Sequence, residues 1–229
     1  MYKLLAIFAL PLLLLAGLSG CGGGGGGGSA PPATSPTTQF PLAGAISAFS
    51  QAAHNYTVSA TNAGNTYTLQ INYTPGASTT FEGQPASTMA LAATISKNGA
   101  VASTVSQTSY FVTSPYKPLG VLDLGNGQYT VAANQQNLPA NTTVGTSGQF
   151  DTYTTYTNNT KAVVYSTATQ TWSLASDTAT TAWACVNAIE TVVGSTPISS
   201  ADCYKIDTTG NVLAYKANVT FSGTTLSFN

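Results

Sequence analysis

The spacing of apolar residues divides the chain into a short apolar block, a polar bridge and a long alternating stretch. Residues 4–17 are apolar and interrupted only by Pro11, with Lys3 ahead of them. A membrane-spanning helix needs roughly 20 apolar residues, so this block has the length of an export signal's apolar region. In "FPLAGAISAFSQAAHN", Leu42, Ile46 and Phe49 recur at i, i+4 and i+7. That spacing predicts a short helix, with Pro41 in its first turn and His54 and Asn55 at its end. Beyond it the period is two. "TYTLQINYT" places Tyr67, Leu69, Ile71 and Tyr73 on one face, and "LAYKANVTF" does the same with Leu213, Tyr215, Ala217, Val219 and Phe221. Such alternation marks half-buried antiparallel strands. Turn signals separate the strands: Gly64-Asn65, Asn98-Gly99, Asn126-Gly127 and Ser222-Gly223. The expected fold is all-β, with antiparallel sandwich-like sheets and one short N-terminal helix.

The expected division is a signal peptide over 1–20, a tether over 21–39, and two β modules, 40–118 and 119–229, with a single sandwich as the alternative. "ISKNGAV" (95–101) and "IDTTGNV" (206–212) share Ile, Gly and Val at equal spacing, which would support an internal duplication. The tether is polyglycine from Gly22 to Gly28, then "SAPPATSPTTQ". Its 18 residues average about 23 Å end to end as a coil and reach about 55 Å when extended.

Leu18-Ser19-Gly20-Cys21 resembles the lipobox of bacterial lipoprotein precursors. The resemblance implies cleavage before Cys21, a diacylglyceryl thioether on its sulfur and an acyl group on the new amino terminus. Two or more chains anchor stably where one does not. A glycine after the cysteine implies, by the same family's sorting rule, the outer membrane. The expected location is the cell envelope, lipid-anchored and facing the periplasm, with cell-surface exposure as the alternative. An ordinary secreted protein is the competing reading of the same segment.

Over residues 45–229, "YTVSATNAGNTYTL", "FEGQPAS", "YKPLG", "LPANTTVG", "YTNNTKAVV" and "CYKIDTTGNV", with the polyglycine run, are similar to polyglycine-tethered lipoproteins of the Burkholderia and other β-proteobacterial type. The resemblance implies an envelope lipoprotein and brings no functional residues with it.

Charged residues make up 6% of the chain, and past the signal there are five lysines, seven carboxylates, one histidine and no arginine. That composition offers no basic stripe for nucleic acid and no polybasic patch for anionic lipid. Thr, Ser, Asn, Gln and Tyr must therefore cover the surface. In an oxidising compartment Cys185 and Cys203 are expected to form a disulfide. A metal pair is disfavoured because only His54 could add a nitrogen ligand.

No catalytic residues, cofactor or metal are expected. His54 has no Gly-x-Ser-x-Gly elbow to serve, and "GTSG" at 145–148 lacks the spacing. Ser114 and Lys117 match Ser-x-x-Lys, yet Pro118 disfavours a helix at Lys117. Of Glu82, Asp123, Asp151, Asp177, Glu190, Asp202 and Asp207, two could meet in a cleft as a glycosidase pair. Asp123, Asp177 and Asp207, however, neighbour turn residues and suit local hydrogen bonding. Tyr153, Tyr156 and Trp183 are candidates for a ligand platform, with one of the two tyrosines expected to be exposed. Tyr67 and Trp172 alternate with leucines and are expected in the core.

The resulting expectation is a non-catalytic structural or protein-interaction module of the envelope, with a glycan- or lipid-binding lipoprotein as the alternative. A lined pocket of several hundred Å3 would favour ligand binding. A filled core with an exposed sheet edge would favour protein contact.

Overall fold

A computed structural model describes residues 37–221 and 224–229. The signal segment, Cys21, most of the tether and the Ser222-Gly223 turn lie outside the described residues. Fifteen strands and one helix follow in order: β1 (Gln39–Phe40), α1 (Leu42–Phe49), β2 (His54–Asn62), β3 (Asn65–Pro75), β4 (Thr79–Phe81), β5 (Gln84–Lys97), β6 (Ala100–Thr113), β7 (Tyr116–Asp123), β8 (Tyr129–Ala133), β9 (Thr142–Thr143), β10 (Ser147–Tyr156), β11 (Val164–Ser176), β12 (Thr181–Val192), β13 (Ile198–Asp207), β14 (Val212–Phe221) and β15 (Thr224–Phe228).

Thirteen strands form one antiparallel sheet, running in chain order from β2 to β15, with β4 paired to β5 off that path. β1 and β9 make a small second sheet. The large sheet curls until its ends meet. The Ser59 amide donates to the Asn229 carbonyl at 3.2 Å and the Asn229 amide to that of Ser59 at 3.0 Å, joining β2 to the end of β15. Opposite walls thus face each other across one core, as the layers of a sandwich do, and the free edges of an open sheet are covered. Alternation sets which residues fill the interior. Leu69, Ile71 and Tyr73 on β3, Trp172 and Leu174 on β11, and Leu226 and Phe228 on β15 all point into it. Burying each such side chain contributes roughly 1.5–3 kcal/mol. Thr57, Ser59, Gln70, Asn72, Thr167 and Thr169 occupy the alternate positions and are exposed. The outer wall is therefore polar and the lumen apolar, the reverse of a lipid-facing barrel.

The expected boundary at 118/119 falls inside β7, and strands on both sides of it share one sheet and one core. In an up-and-down meander the β5–β6 and β13–β14 turns lie at opposite ends. "ISKNGAV" and "IDTTGNV" consequently sit at opposite ends of the barrel, the first on a two-residue turn and the second on a four-residue turn. The expected inward face of β14 holds for Tyr215 and Ala217 but not for Leu213, which is 54% exposed. A bulge pairs Lys205 with Ala214 and Ile206 with Val212, so Leu213 is passed over and Val212 packs against the core.

Helix α1 closes the end where the described chain begins. Leu42, Ala45, Ile46 and Phe49 are buried, at i, i+3, i+4 and i+7. Eight residues are too few for a helix to hold in water, so packing maintains it. His54 begins β2 instead of ending the helix. Its ring still stacks on Phe49 at 4.2 Å between centroids, and its Nε2 lies 3.1 Å from the Phe49 carbonyl oxygen. The Ser47 hydroxyl donates to the Thr113 carbonyl at 2.9 Å, which ties the helix to the β6–β7 turn.

Outside the barrel, β4 and the start of β5 form a flap over β6–β8. Phe81 stacks on Tyr110 and Tyr129 with centroids 4.5 and 5.2 Å away. The Tyr129 hydroxyl donates to Glu82 Oε1 at 2.7 Å, and Lys161 pairs with the other oxygen of Glu82. Gly120 makes the close approach possible, because a Cβ there would stand 2.2 Å from the Thr130 carbonyl oxygen and 2.5 Å from Phe81 Cζ. Gly120→Val is therefore expected to cost about 2–3 kcal/mol. Proteolysis within the flap should then be faster than in the unmutated protein; an unchanged cleavage rate would show that the flap is not seated through Gly120.

Candidate functional site

The barrel interior is where chemistry that the pattern does not require accumulates. Three acids occupy inward positions: Asp151 on β10, Glu190 on β12 and Asp202 on β13, exposed by 0%, 1% and 8%. Two of them are in phase with apolar neighbours. Glu190 continues the run Ala182, Ala184, Val186, Ala188, and Asp202 precedes Tyr204 and Ile206. That phase was the available sequence signal, and counting carboxylates without their strand parity hides it.

Asp202 belongs to an aromatic network. The Tyr215 hydroxyl donates to its Oδ1, and the hydroxyls of Tyr73 and Tyr204 lie 3.4 Å apart. Burial pushes the Asp202 carboxyl up to about 6, and the Tyr215 bond offsets this only in part. The same burial, with Asp202 nearby, raises the phenols of Tyr73, Tyr204 and Tyr215, so they stay protonated donors. Asp151 sits at a bulge that skips Phe150, opposite Gln170. Among the described residues neither of its oxygens meets a hydrogen-bond donor in good geometry. Burial pushes it up to about 7, and Tyr153 close by works weakly against that rise. Burial likewise raises Glu190, with Ser166 opposing.

A cavity of about 170 Å3 lies between the buried face of α1 and the barrel wall. Phe49, Tyr73, Met89, Phe111 and Tyr204 supply much of its lining, and Gln107, Gln170 and Asp202 its polar points. Ligand pockets for drug-sized molecules span roughly 300–1,000 Å3, so this space suits something smaller.

The three residues expected to form a platform do not share a surface. Tyr153 is 8% exposed and points inward, because it alternates in phase with Asp151 and Thr155. Tyr156 is half-buried at the other end of its strand. Trp183 faces outward, with Lys216 Nζ 4.0 Å above its ring and its indole N–H donating to Asp177 at 3.1 Å. A base of that kind is already occupied by cation and carboxylate. Trp172 packs in the core as the alternation implies, and Tyr67 is half-buried against it.

Cys185 and Cys203 face each other across β12 and β13 and are bonded, S–S 2.10 Å. Two of the three turn acids act only locally: Asp123 accepts from the amides of Gly125 and Asn126, and Asp207 from those of Thr209 and Asn211, whereas Asp177 also pairs with Lys205 of β13 at 2.7 Å. Ser114 and Lys117 belong to the β6–β7 hairpin and not to a helix. Among the described residues no three His, Cys, Asp or Glu side chains gather in a way that could hold a metal ion. No protein-family model matches this chain, and neither a curated protein nor a solved structure does.

Proposed function

We propose that this is a lipid-anchored protein of the cell envelope with a non-catalytic protein-interaction role, held at the outer membrane through Cys21. The lipobox-like segment and the glycine tether support the anchor, as does the similarity to polyglycine-tethered lipoproteins. The observation that carries the interaction role is the distribution of exposed apolar side chains. Val101, Leu124, Val163, Val164 and Val193 are 66%, 57%, 57%, 42% and 70% exposed. All five sit in or beside the β5–β6, β7–β8, β10–β11 and β12–β13 turns, at the barrel end opposite α1. Gln39 pairs with Thr143 at the α1 end, the end opposite these turns. Five of the seven large apolar side chains exposed among the described residues lie at this rim, with Val144 and Leu213 at the α1 end, and that excess at one rim suits contact with a protein partner.

The alternative, a glycan- or lipid-binding lipoprotein, draws less support, since the cavity is too small for a lipid chain or an oligosaccharide. Photo-crosslinking in intact cells tests the proposal. A crosslinker at Val193 is expected to trap a discrete partner, whereas one at Thr57 on the outer wall should not. Equal patterns from both positions, or none from Val193, would contradict it.

A further inference from the structure

The lumen buries three carboxyl groups and no positive partner for them. None of the described lysines is buried, and the chain has no arginine. A carboxylate withdrawn from water without a cation is costly, and an apolar residue of similar volume would fill the same space at lower cost. Two of the acids flank the cavity beneath α1. Asp202 lines it directly. Asp151 lies on the same inner wall, opposite the lining residue Gln170, buried and with the Tyr153 hydroxyl as a weakly aligned neighbour.

Rings complete the environment. Phe49 lies 5.0 Å from Tyr73 and 4.5 Å from Tyr204, centroid to centroid, and all three line the cavity. A carboxylate next to aromatic faces attracts an ammonium group from two directions. An inorganic cation such as calcium would call for six or more oxygen ligands, which this mostly apolar lining does not offer. Volume sets the size, since a cavity of about 150 Å3 holds a ligand as large as benzene. The cavity is partly open to solvent.

We propose that the cavity beneath α1 binds a small organic cation, its ammonium group held by Asp202 beside Tyr73 and Tyr204. This goes beyond the interaction role and does not depend on it.

Met89 lines the cavity and is, with Met1, one of two methionines in the chain. In the full-length protein labelled at its methionine methyls, Met89→Leu identifies the Met89 resonance. Choline is expected to shift that resonance saturably. Sodium chloride at equal ionic strength should not, and 3,3-dimethylbutan-1-ol, the uncharged isostere of choline, should bind at least about tenfold more weakly, the worth of a desolvated cation–aromatic contact. Asp202→Asn should weaken choline by a similar factor and leave the isostere unaffected. Equal shifts from choline and its isostere would overturn the proposal, as would no shift from choline. If Asp202→Asn fails to fold, the comparison of the two probes in the unmutated protein decides by itself.

Discussion

Raising the pH from about 4 to about 8 is expected to lower the melting temperature, and Asp151→Asn is expected to abolish much of that loss. In the unfolded chain Asp151 titrates at the ordinary value of 3.8, whereas burial holds its folded-state carboxyl neutral up to about 7. Between those values the folded protein binds more protons than the unfolded one, so stability falls as pH rises and levels off above about 7. A gap of that size corresponds to about 4 kcal/mol, or roughly 8–16 °C for a domain of this length. Asp202, raised to about 6, acts in the same direction over a narrower window. The Asn variant should match the unmutated protein at pH 4 and exceed it at pH 8. Thermal unfolding followed by circular dichroism across that range reads the difference. Parallel curves for the two proteins would mean that Asp151 is solvated or partnered.

Loss of the Cys185–Cys203 bond should be nearly as large an effect. The bond closes a separation of 18 residues between paired strands. Removing it returns about 3 kcal/mol of loop-closure entropy to the unfolded chain. Cys185→Ser with Cys203→Ser, or reduction of the native protein, should therefore lower the denaturant midpoint, with any change in slope upward because the freed unfolded chain exposes more surface. An unchanged midpoint would show that β12 and β13 pair as firmly without the cross-link.

How much of this was legible depended on whether the physics was local. Period two in β3 and the i, i+4, i+7 spacing of Leu42, Ile46 and Phe49 are consequences of side-chain direction within one element, and both are realised. Asn98-Gly99 turns the chain because both residues take positive φ, 50° and 82°. Closure is different in kind. The bonds between Ser59 and Asn229 join residues near opposite ends of the folded part, and no local pattern in β2 specifies its partner. Bulges defeat parity in the same way, since one extra residue at Leu213 reverses the faces of everything before it. The lumen acids were visible as residues and hidden as a site. Asp151 and Asp202 come from strands 51 positions apart, and only the curl of the sheet brings them to the same lumen.

The proposed envelope role rests on lipidation of Cys21. Cells producing the unmutated protein and Cys21→Ser can be separated into membrane and soluble fractions. The unmutated protein is expected in the outer-membrane fraction and released only by detergent, while Cys21→Ser is expected in the soluble periplasmic fraction with the same melting temperature. Membrane retention of Cys21→Ser, or a soluble unmutated protein, would contradict the lipid anchor.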